Sequence, residues 1–285
     1  MTGVSGVRSP TVRRRELGAL LRALRTNAGL TAEQVAKLLY CSPSKVSRME
    51  TGQRGASARD IRDLCDIYGI EDPVREHLTT LAREGRDQAW WQPYDLPYAT
   101  YIGLESEAIS IADFEPGVFS GLLQTPAYAR AVHEGTLTRL SPGAIDQQLE
   151  VRRIRQQILV REHPPRLAVI LDEAVLHRVV GGPSAMRAQL EHVVAASEQS
   201  NITVQVLPYN VGAHPALDST FIVLELPPPV AGVVYVEGLV GQIYLERPQD
   251  VQRYNQVFSH LASISLTPED SVELMAKASL KYKNG

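Results

Sequence analysis

The stretch AEQVAKLLYCSPSKVSRMET, residues 32–51, decides the fold of the first part of the chain. With Ala32 counted as position one, small or apolar residues occupy positions five, ten, fifteen and eighteen: Ala36, Cys41, Val46 and Met49. The small fifth residue lets two helices cross closely, and the other three hold the second helix against its scaffold. This spacing predicts a helix-turn-helix.

Capping residues mark where the two helices of this stretch begin. Thr31 precedes the first helix and Gln34 stands three positions later, which is the arrangement of a capping box. Ser42 precedes the second helix, and Pro43 follows at its first position, where a missing N–H costs nothing. Both helices therefore have local start signals as well as an apolar face.

Length and composition predict more than one domain, because 285 residues exceed the roughly 100–200 of a usual domain. The predicted segments are a flexible arm (1–12), a helix-turn-helix domain of helices only (13–86), an aromatic connector (87–100) and an α+β domain (101–285). The fold class is thus multi-domain.

Alternating or continuous apolar runs predict about five strands in the last segment. They lie at 166–173, 202–208, 221–227, 233–238 and 241–247. Most neighbours follow each other closely along the chain, so a mostly antiparallel sheet is expected. Residues 101–132 are predicted to be helical, because Leu104, Ala108, Ile111 and Ala112 recur at helical spacing.

Basic charge is concentrated at the start of the chain. Residues 8–62 hold twelve Lys or Arg against four Asp or Glu, whereas residues 91–285 hold fourteen against twenty-one. A basic patch that coincides with a helix-turn-helix indicates a polyanionic partner, here double-stranded DNA. The alternative is a face of ordinary solvated charges.

The face that the apolar positions leave outside carries the candidate DNA contacts. Hydroxyls and helix N-terminal N–H groups suit phosphates and base edges, and basic side chains can reach guanine acceptors in a major groove. The candidates on the second helix are Ser42, Ser44, Lys45, Ser47 and Arg48, with Gln34, Gln53 and Arg54 beside them and Arg13, Arg14 and Arg15 as a basic arm. Ser42 is explained equally well as a helix cap. Glu50 would repel phosphate and is predicted to form an internal ion pair or a cap.

The later segments offer a weaker candidate site for a ligand or protein partner. Trp90 and Trp91 could line an aromatic ligand box, although packing the connector onto a domain is the preferred interpretation. Phe114 and the loop around His214 are the other candidates.

Catalytic and metal motifs are missing from the sequence, which contains no HExxH, no GxSxG and no phosphate-binding loop. Asp172 and Glu173 could do acid–base work, but an ion pair with Arg178 accounts for them as well. We expect no enzyme activity, no cofactor, no metal site and no membrane span. Cys41 and Cys65 are expected to be free core thiols in a cytoplasmic, nucleoid-associated protein.

The segments GLTAEQVA (29–36), CSPSKVSRMETG (41–52) and RDIRDLCDIYGI (59–70) resemble the lambda-repressor-like, Xre-type helix-turn-helix family. This resemblance implies a sequence-specific transcriptional regulator that binds two half-sites as a homodimer. The family usually has Gln at the first position and Gly at the ninth. Here Ala32 and Tyr40 stand there, so Tyr40 is expected to show strain or a slightly different turn.

The segments FEPGVFSGLLQTPAYARA (114–131), RIRQQIL (153–159), LDEAVLHRVVGG (171–182) and VVYVEG (233–238) resemble the C-terminal domain of an actinobacterial group of Xre-type regulators. This group includes the Scr-type antitoxin-like regulators. The resemblance implies that the domain binds a small companion protein or mediates dimerisation. Two alternatives stay open: a ligand-sensing regulator with a small-molecule pocket, and a DNA-targeted hydrolase.

Overall fold

The protein is described by a computed structural model that covers residues 9–94, 96–137 and 140–282. The chain divides into two compact units. The first runs as far as Glu107 and includes Leu226–Ala231, and the second comprises Ala108–Glu225 and the chain from Gly232 onward. The residues of the predicted connector, 87–100, are thus grouped with the first unit.

Helices build the first unit: α1 (Pro10–Asn27), α2 (Ala32–Leu38), α3 (Pro43–Glu50), α4 (Ala58–Tyr68), α5 (Asp72–Glu84) and α6 (Ala99–Glu105). α1 begins before the end of the predicted arm, because Pro10 takes its first position and the Arg13 N–H donates to the Ser9 carbonyl at 2.9 Å. Residues 1–8 of that arm lie outside the described residues.

The predicted caps of α2 and α3 are confirmed. The Thr31 hydroxyl accepts from the Gln34 N–H and the Gln34 side chain accepts from the Thr31 N–H, which completes the capping box. The Ser42 hydroxyl accepts from the Lys45 N–H at 3.3 Å, and Pro43 opens α3. Short-range sequence signals therefore fix both ends of the turn between α2 and α3.

One hydrophobic core joins α1 to α5. Its fully buried members include three of the motif's spacing residues, and Cys65, a free thiol, belongs to it. The core residues are Leu17, Leu21, Val35, Ala36, Val46, Met49, Ala56, Ile61, Leu64, Cys65, Leu78, Leu81 and Ala82. Cys41, the fourth spacing residue, is free and packs against this core while partly buried.

α1 and α3 approach each other too closely for side chains at the crossing. A Cβ at Gly18 would lie 2.5 Å from the carbonyl oxygen of Glu50 and 2.6 Å from that of Met49. A Cβ at Gly52, whose φ is +69°, would lie 2.8 Å from the Arg15 Cα. Glycine on both chain segments is therefore what lets α3 rest on α1.

We expect Gly18→Ala to lower the free energy of unfolding by roughly 1–3 kcal/mol, because backbone atoms must move to admit the methyl group. Gly55→Ala is the matched control, since the nearest atom to its added Cβ is a side-chain carbon 3.8 Å away. Denaturant unfolding of the two variants measures the difference. Equal stabilities would contradict the close approach of α1 and α3.

The second unit combines a sheet with helices. Its elements are β1 (Ser110–Glu115), α7 (Pro126–Glu134), α8 (Pro142–Gln156), β2 (Arg166–Asp172), α9 (Ala174–His177), α10 (Gly182–Ala196), β3 (Ile202–Leu207), β4 (Phe221–Glu225), β5 (Val233–Gly238), β6 (Gly241–Leu245), α11 (Pro248–Ile264) and α12 (Pro268–Lys281). The five predicted strands are all present, with ends that differ by at most two residues.

Across the described residues the sheet has six strands in the order β3-β2-β1-β4-β5-β6. β1 pairs with β2 and β2 with β3 in parallel, whereas the remaining pairs are antiparallel. The predicted mostly antiparallel sheet of five strands was therefore wrong, because the sheet is mixed and its sixth strand, β1, lies in a stretch predicted as helix. Pairing with distant residues on both sides, such as Asp113 with Val169 and Ile222, overrides the local helical spacing.

The two faces of β1 differ in chemistry, because successive side chains of a strand point to opposite faces. Phe114 is fully buried in an apolar cluster with Phe221 and with Leu261 of α11. Asp113 and Glu115 point to the other face. The pairing register carries that face from Asp113 through Ile222 to Tyr235.

Candidate nucleic-acid interface

The exposed face of α3 is polar. Val46 and Met49 are buried in the core, whereas Ser44, Ser47 and Arg48 are exposed on the opposite side. Positions 44, 47 and 48 are neighbours on a helix surface because they are three or four residues apart. The structure therefore brings two hydroxyls and one guanidinium together on one side of α3.

The Arg48 side chain hydrogen-bonds to an uncharged group at this surface. Its Nε donates to the Ser44 carbonyl at 3.2 Å, which leans the side chain along the helix toward the N-terminus of α3. Gln53 and Arg54 are also exposed, in the turn that follows α3. These three residues surround the end of α3 with donors suited to phosphates and base edges.

Ser42 and Gln34 are exposed, and both side chains also cap helices. The Ser42 hydroxyl caps α3 and lies 3.0 Å from the Ser44 hydroxyl. The Gln34 side-chain oxygen accepts from the Thr31 N–H at 2.7 Å, so its amide nitrogen is the part left for other contacts.

Lys45 does not project from α3 as an unopposed charge. Its Nζ lies 2.5 Å from Oδ1 of Asp60 in the first turn of α4, and the side chains are 23% and 13% exposed. Asp60 Oδ2 also accepts from the Ser57 N–H and hydroxyl, at 2.8 and 2.7 Å. The lysine is thereby tied to the N-terminal cap of α4.

The three arginines expected in an arm belong to α1. Arg13 is buried, is hydrogen-bonded to Glu16 and lies 2.9 Å from Glu84. Arg14 donates to the Gly85 carbonyl at 2.8 Å, and its pKa is lowered by burial and by the neighbouring Arg15. The side chains of Arg13 and Arg14 therefore hold α1 against the C-terminal end of α5.

Glu50 forms the predicted internal ion pair. Arg25 Nε and Nη2 donate to its two carboxylate oxygens at 2.6 and 3.0 Å, and Arg25 Nη1 donates to the Leu30 carbonyl. The hydrogen bond to Glu50 raises the pKa of Arg25. This bidentate pair fastens the last turn of α3 to the last turn of α1.

Tyr40 shows the strain that the sequence predicted. Its φ is +51°, in the left-handed region that disfavours residues other than glycine, and its side chain is 97% exposed. The ring gains almost nothing from burial, so nothing in its packing offsets the backbone cost. The backbone conformation of Tyr40 therefore lowers the free energy of unfolding.

We expect Tyr40→Gly to raise the free energy of unfolding by about 1 kcal/mol, because glycine adopts this backbone conformation without the steric penalty. Tyr40→Ala is the control. It removes the same exposed ring but keeps a Cβ, so its stability should stay near that of the wild type. Thermal and denaturant unfolding distinguish the two, and a glycine variant no more stable than the alanine variant would refute the strain.

The four weaker candidates fall in different units. Trp90 and Trp91 lie in the first unit with ring centroids 5.5 Å apart in an edge-to-face arrangement, and Trp91 is buried. Phe114 and His214 lie in the second unit with centroids 5.8 Å apart, and Phe114 is a core residue. The Trp pair thus has the packing geometry of a structural aromatic cluster.

A polar cluster that the sequence did not reveal occupies one face of the sheet in the second unit. Glu115 accepts from the Thr220 hydroxyl at 3.3 Å, and its pKa is raised well above the usual range by burial and by Asp113. Burial and Glu237 also raise the pKa of Tyr235 on β5. The only sequence signal was the alternation of SIADFE, residues 110–115, which places Asp113 and Glu115 on the same face of a strand.

Among the described residues, no group of three or more His, Cys, Asp or Glu is arranged to hold a metal ion. In the same part of the chain, no helix is both long and apolar enough to cross a membrane.

Comparisons with known proteins give two family matches. Residues 98–277 match the family described as "Domain of unknown function (DUF5753)", and residues 16–78 match the family described as "Helix-turn-helix domain". Among solved structures, the chain is similar to "Crystal structure of the clp gene regulator ClgR from C. glutamicum", with 25% identity over 27% of this chain and 96% of that chain and a TM-score of 0.22. No curated protein matches the chain.

Proposed function

This chain belongs to the family described as "Domain of unknown function (DUF5753)", and we propose that it is a sequence-specific DNA-binding transcriptional regulator. The observation that carries the proposal is the exposed face of α3, with Ser44, Ser47 and Arg48 opposite a buried Val46 and Met49. The helix-turn-helix match over residues 16–78 supports it.

In this proposal α3 enters the major groove with its N-terminal turn leading. The hydroxyls of Ser42, Ser44 and Ser47 contact phosphates and base edges, and Arg48 donates to the acceptors of a guanine. Gln53 and Arg54 contact the backbone beside the groove, and the amide of Gln34 reaches a phosphate on the other side.

The second unit is proposed to dimerise or to bind a small companion protein. One α3 touches few base pairs, so a homodimer on two half-sites supplies the affinity and length of site that a specific regulator needs. No step of this proposal is catalytic, and none needs a cofactor.

We expect Arg48→Ala to weaken binding to the chain's own upstream DNA by 1–3 kcal/mol, or roughly 5- to 150-fold, if Arg48 reads a base. Arg83→Ala on α5 is the matched control, because it removes an exposed arginine from a helix outside the motif. Fluorescence anisotropy at fixed salt measures both affinities. Absence of salt-sensitive, sequence-preferring binding by the wild type would overturn the proposed function, and equal losses in both variants would remove Arg48 from it.

A second candidate function is ligand sensing by the second unit. The polar cluster around Glu115 favours it, because ionisable groups with shifted pKa values gather at functional sites more often than in ordinary cores. Glu115 is half-buried at the end of β1, where removal from water and the charge of Asp113 both disfavour its ionised form and raise its pKa.

Glu115→Gln tests whether the ionised carboxylate of Glu115 lowers the stability of the fold. The raised pKa means that the folded state binds the Glu115 proton more tightly than the unfolded state, so wild-type stability falls as pH rises through the folded pKa. Glutamine mimics the protonated carboxyl, so we expect the variant to be more stable than the wild type at pH 8 and equal to it at pH 4. Glu225→Gln, at an exposed carboxyl of β4, is the control. Parallel thermal-unfolding curves of all three proteins across this pH range would contradict the assignment.

A further inference from the structure

Asp60 and Lys45 form a close ion pair between two elements of the helix-turn-helix domain. Lys45 belongs to the first turn of α3 and Asp60 to the first turn of α4, with Nζ and Oδ1 2.5 Å apart. Asp60 is held in place by the Ser57 N–H and hydroxyl. The carboxylate is therefore a fixed part of the surface that surrounds the start of α3.

This carboxylate stays ionised at neutral pH. Burial acts to raise the pKa of Asp60, but hydrogen bonds from Lys45 and Ser57 outweigh it and lower the pKa. A phosphate placed against the Lys45 ammonium would also meet this negative charge at close range. Because the pair has no net charge, Lys45 adds little to the attraction of a polyanion while Asp60 holds it.

Arg48 provides the contrast within the same helix. Its side chain hydrogen-bonds to the Ser44 carbonyl, which carries no charge, and the guanidinium lies at the exposed face of α3. The two basic residues of α3 therefore differ in whether an acidic side chain holds them. Arg48 is available to DNA, and Lys45 is engaged by an acid of its own chain.

We propose that Asp60 competes with DNA phosphates for the Lys45 ammonium and so limits the sequence-independent part of the affinity for DNA. The inference rests on the proposed function and assigns a role to a residue outside the reading helix. Attraction to phosphates does not depend on sequence, so it strengthens binding to all DNA sites. Competition from Asp60 therefore reduces binding to the large excess of non-specific sites.

Asp60→Asn tests the proposal, because asparagine keeps an oxygen acceptor for the Ser57 N–H and removes the charge. Freed Lys45 should gain one phosphate contact on a random-sequence duplex. Counterion release then predicts a slope of log affinity against log salt steeper by about 0.9, and an affinity at 0.1 M salt raised by about eightfold. Asp60→Gln, which keeps a residue suited to the capping box, should give the same change if the asparagine variant folds poorly.

Lys45→Met in the Asp60→Asn background is the decisive control. The double variant restores the zero net charge of the original pair, so its salt slope should return to the wild-type value. A purely structural role of Asp60 would lower the melting temperature and leave the slope unchanged, and that result would overturn the proposal. A wild type without salt-dependent DNA binding would instead overturn the proposed function itself, which makes the two failures distinguishable.

Discussion

The close approach of α1 and α3 at Gly18 is the constraint on which the DNA-binding unit depends. A backbone-to-backbone crossing leaves no room for a Cβ, so backbone atoms set the distance between α1 and α3 at this point. Gly52 repeats the constraint at the end of α3, where its backbone meets that of Arg15. A helix fixed in this way can present Ser44 and Arg48 in one direction, which a base-reading surface requires.

Two ion pairs hold α3 in the position that the glycines permit. The bidentate pair of Arg25 and Glu50 fastens the end of α3 to α1, and the pair of Lys45 and Asp60 fastens its start to α4. Each pair neutralises a basic residue that contributes to the charge excess of residues 8–62. Glu50 and Asp60 are two of the four acidic residues in that range, so each pair sets one of them against one basic residue. Arg48 lies outside both pairs, and its side chain hydrogen-bonds to the uncharged Ser44 carbonyl.

The first unit was predictable from sequence because its determinants are local. Thr31 and Ser42 cap the helices within four residues of themselves, and the spacing of Val46 and Met49 fixes the buried face. β1 was not predictable by the same means. Its six residues are held by β2 and β4, which lie tens of residues away, and a short apolar run with helical spacing carries no signal of such partners. The candidate interface divides in the same way. The exposure of Arg48 follows from helix geometry and was predictable, whereas the ion pair of Lys45 depends on Asp60 of another helix and was not.

Tyr40 and Glu115 are two residues that their local surroundings disfavour. Tyr40 has a left-handed backbone conformation and an exposed ring, and Glu115 has a half-buried carboxyl whose pKa is raised by removal from water and by Asp113. Glycine at the first position and an apolar residue at the second would satisfy the fold better. Sequences agree with their folds at most positions, so unrelieved costs mark residues retained for another reason. In the first unit that cost lies in the helix-turn-helix turn, and in the second it lies on the polar face of the sheet. Tyr40 lies just before α3, the helix whose exposed face carries the proposed DNA contacts.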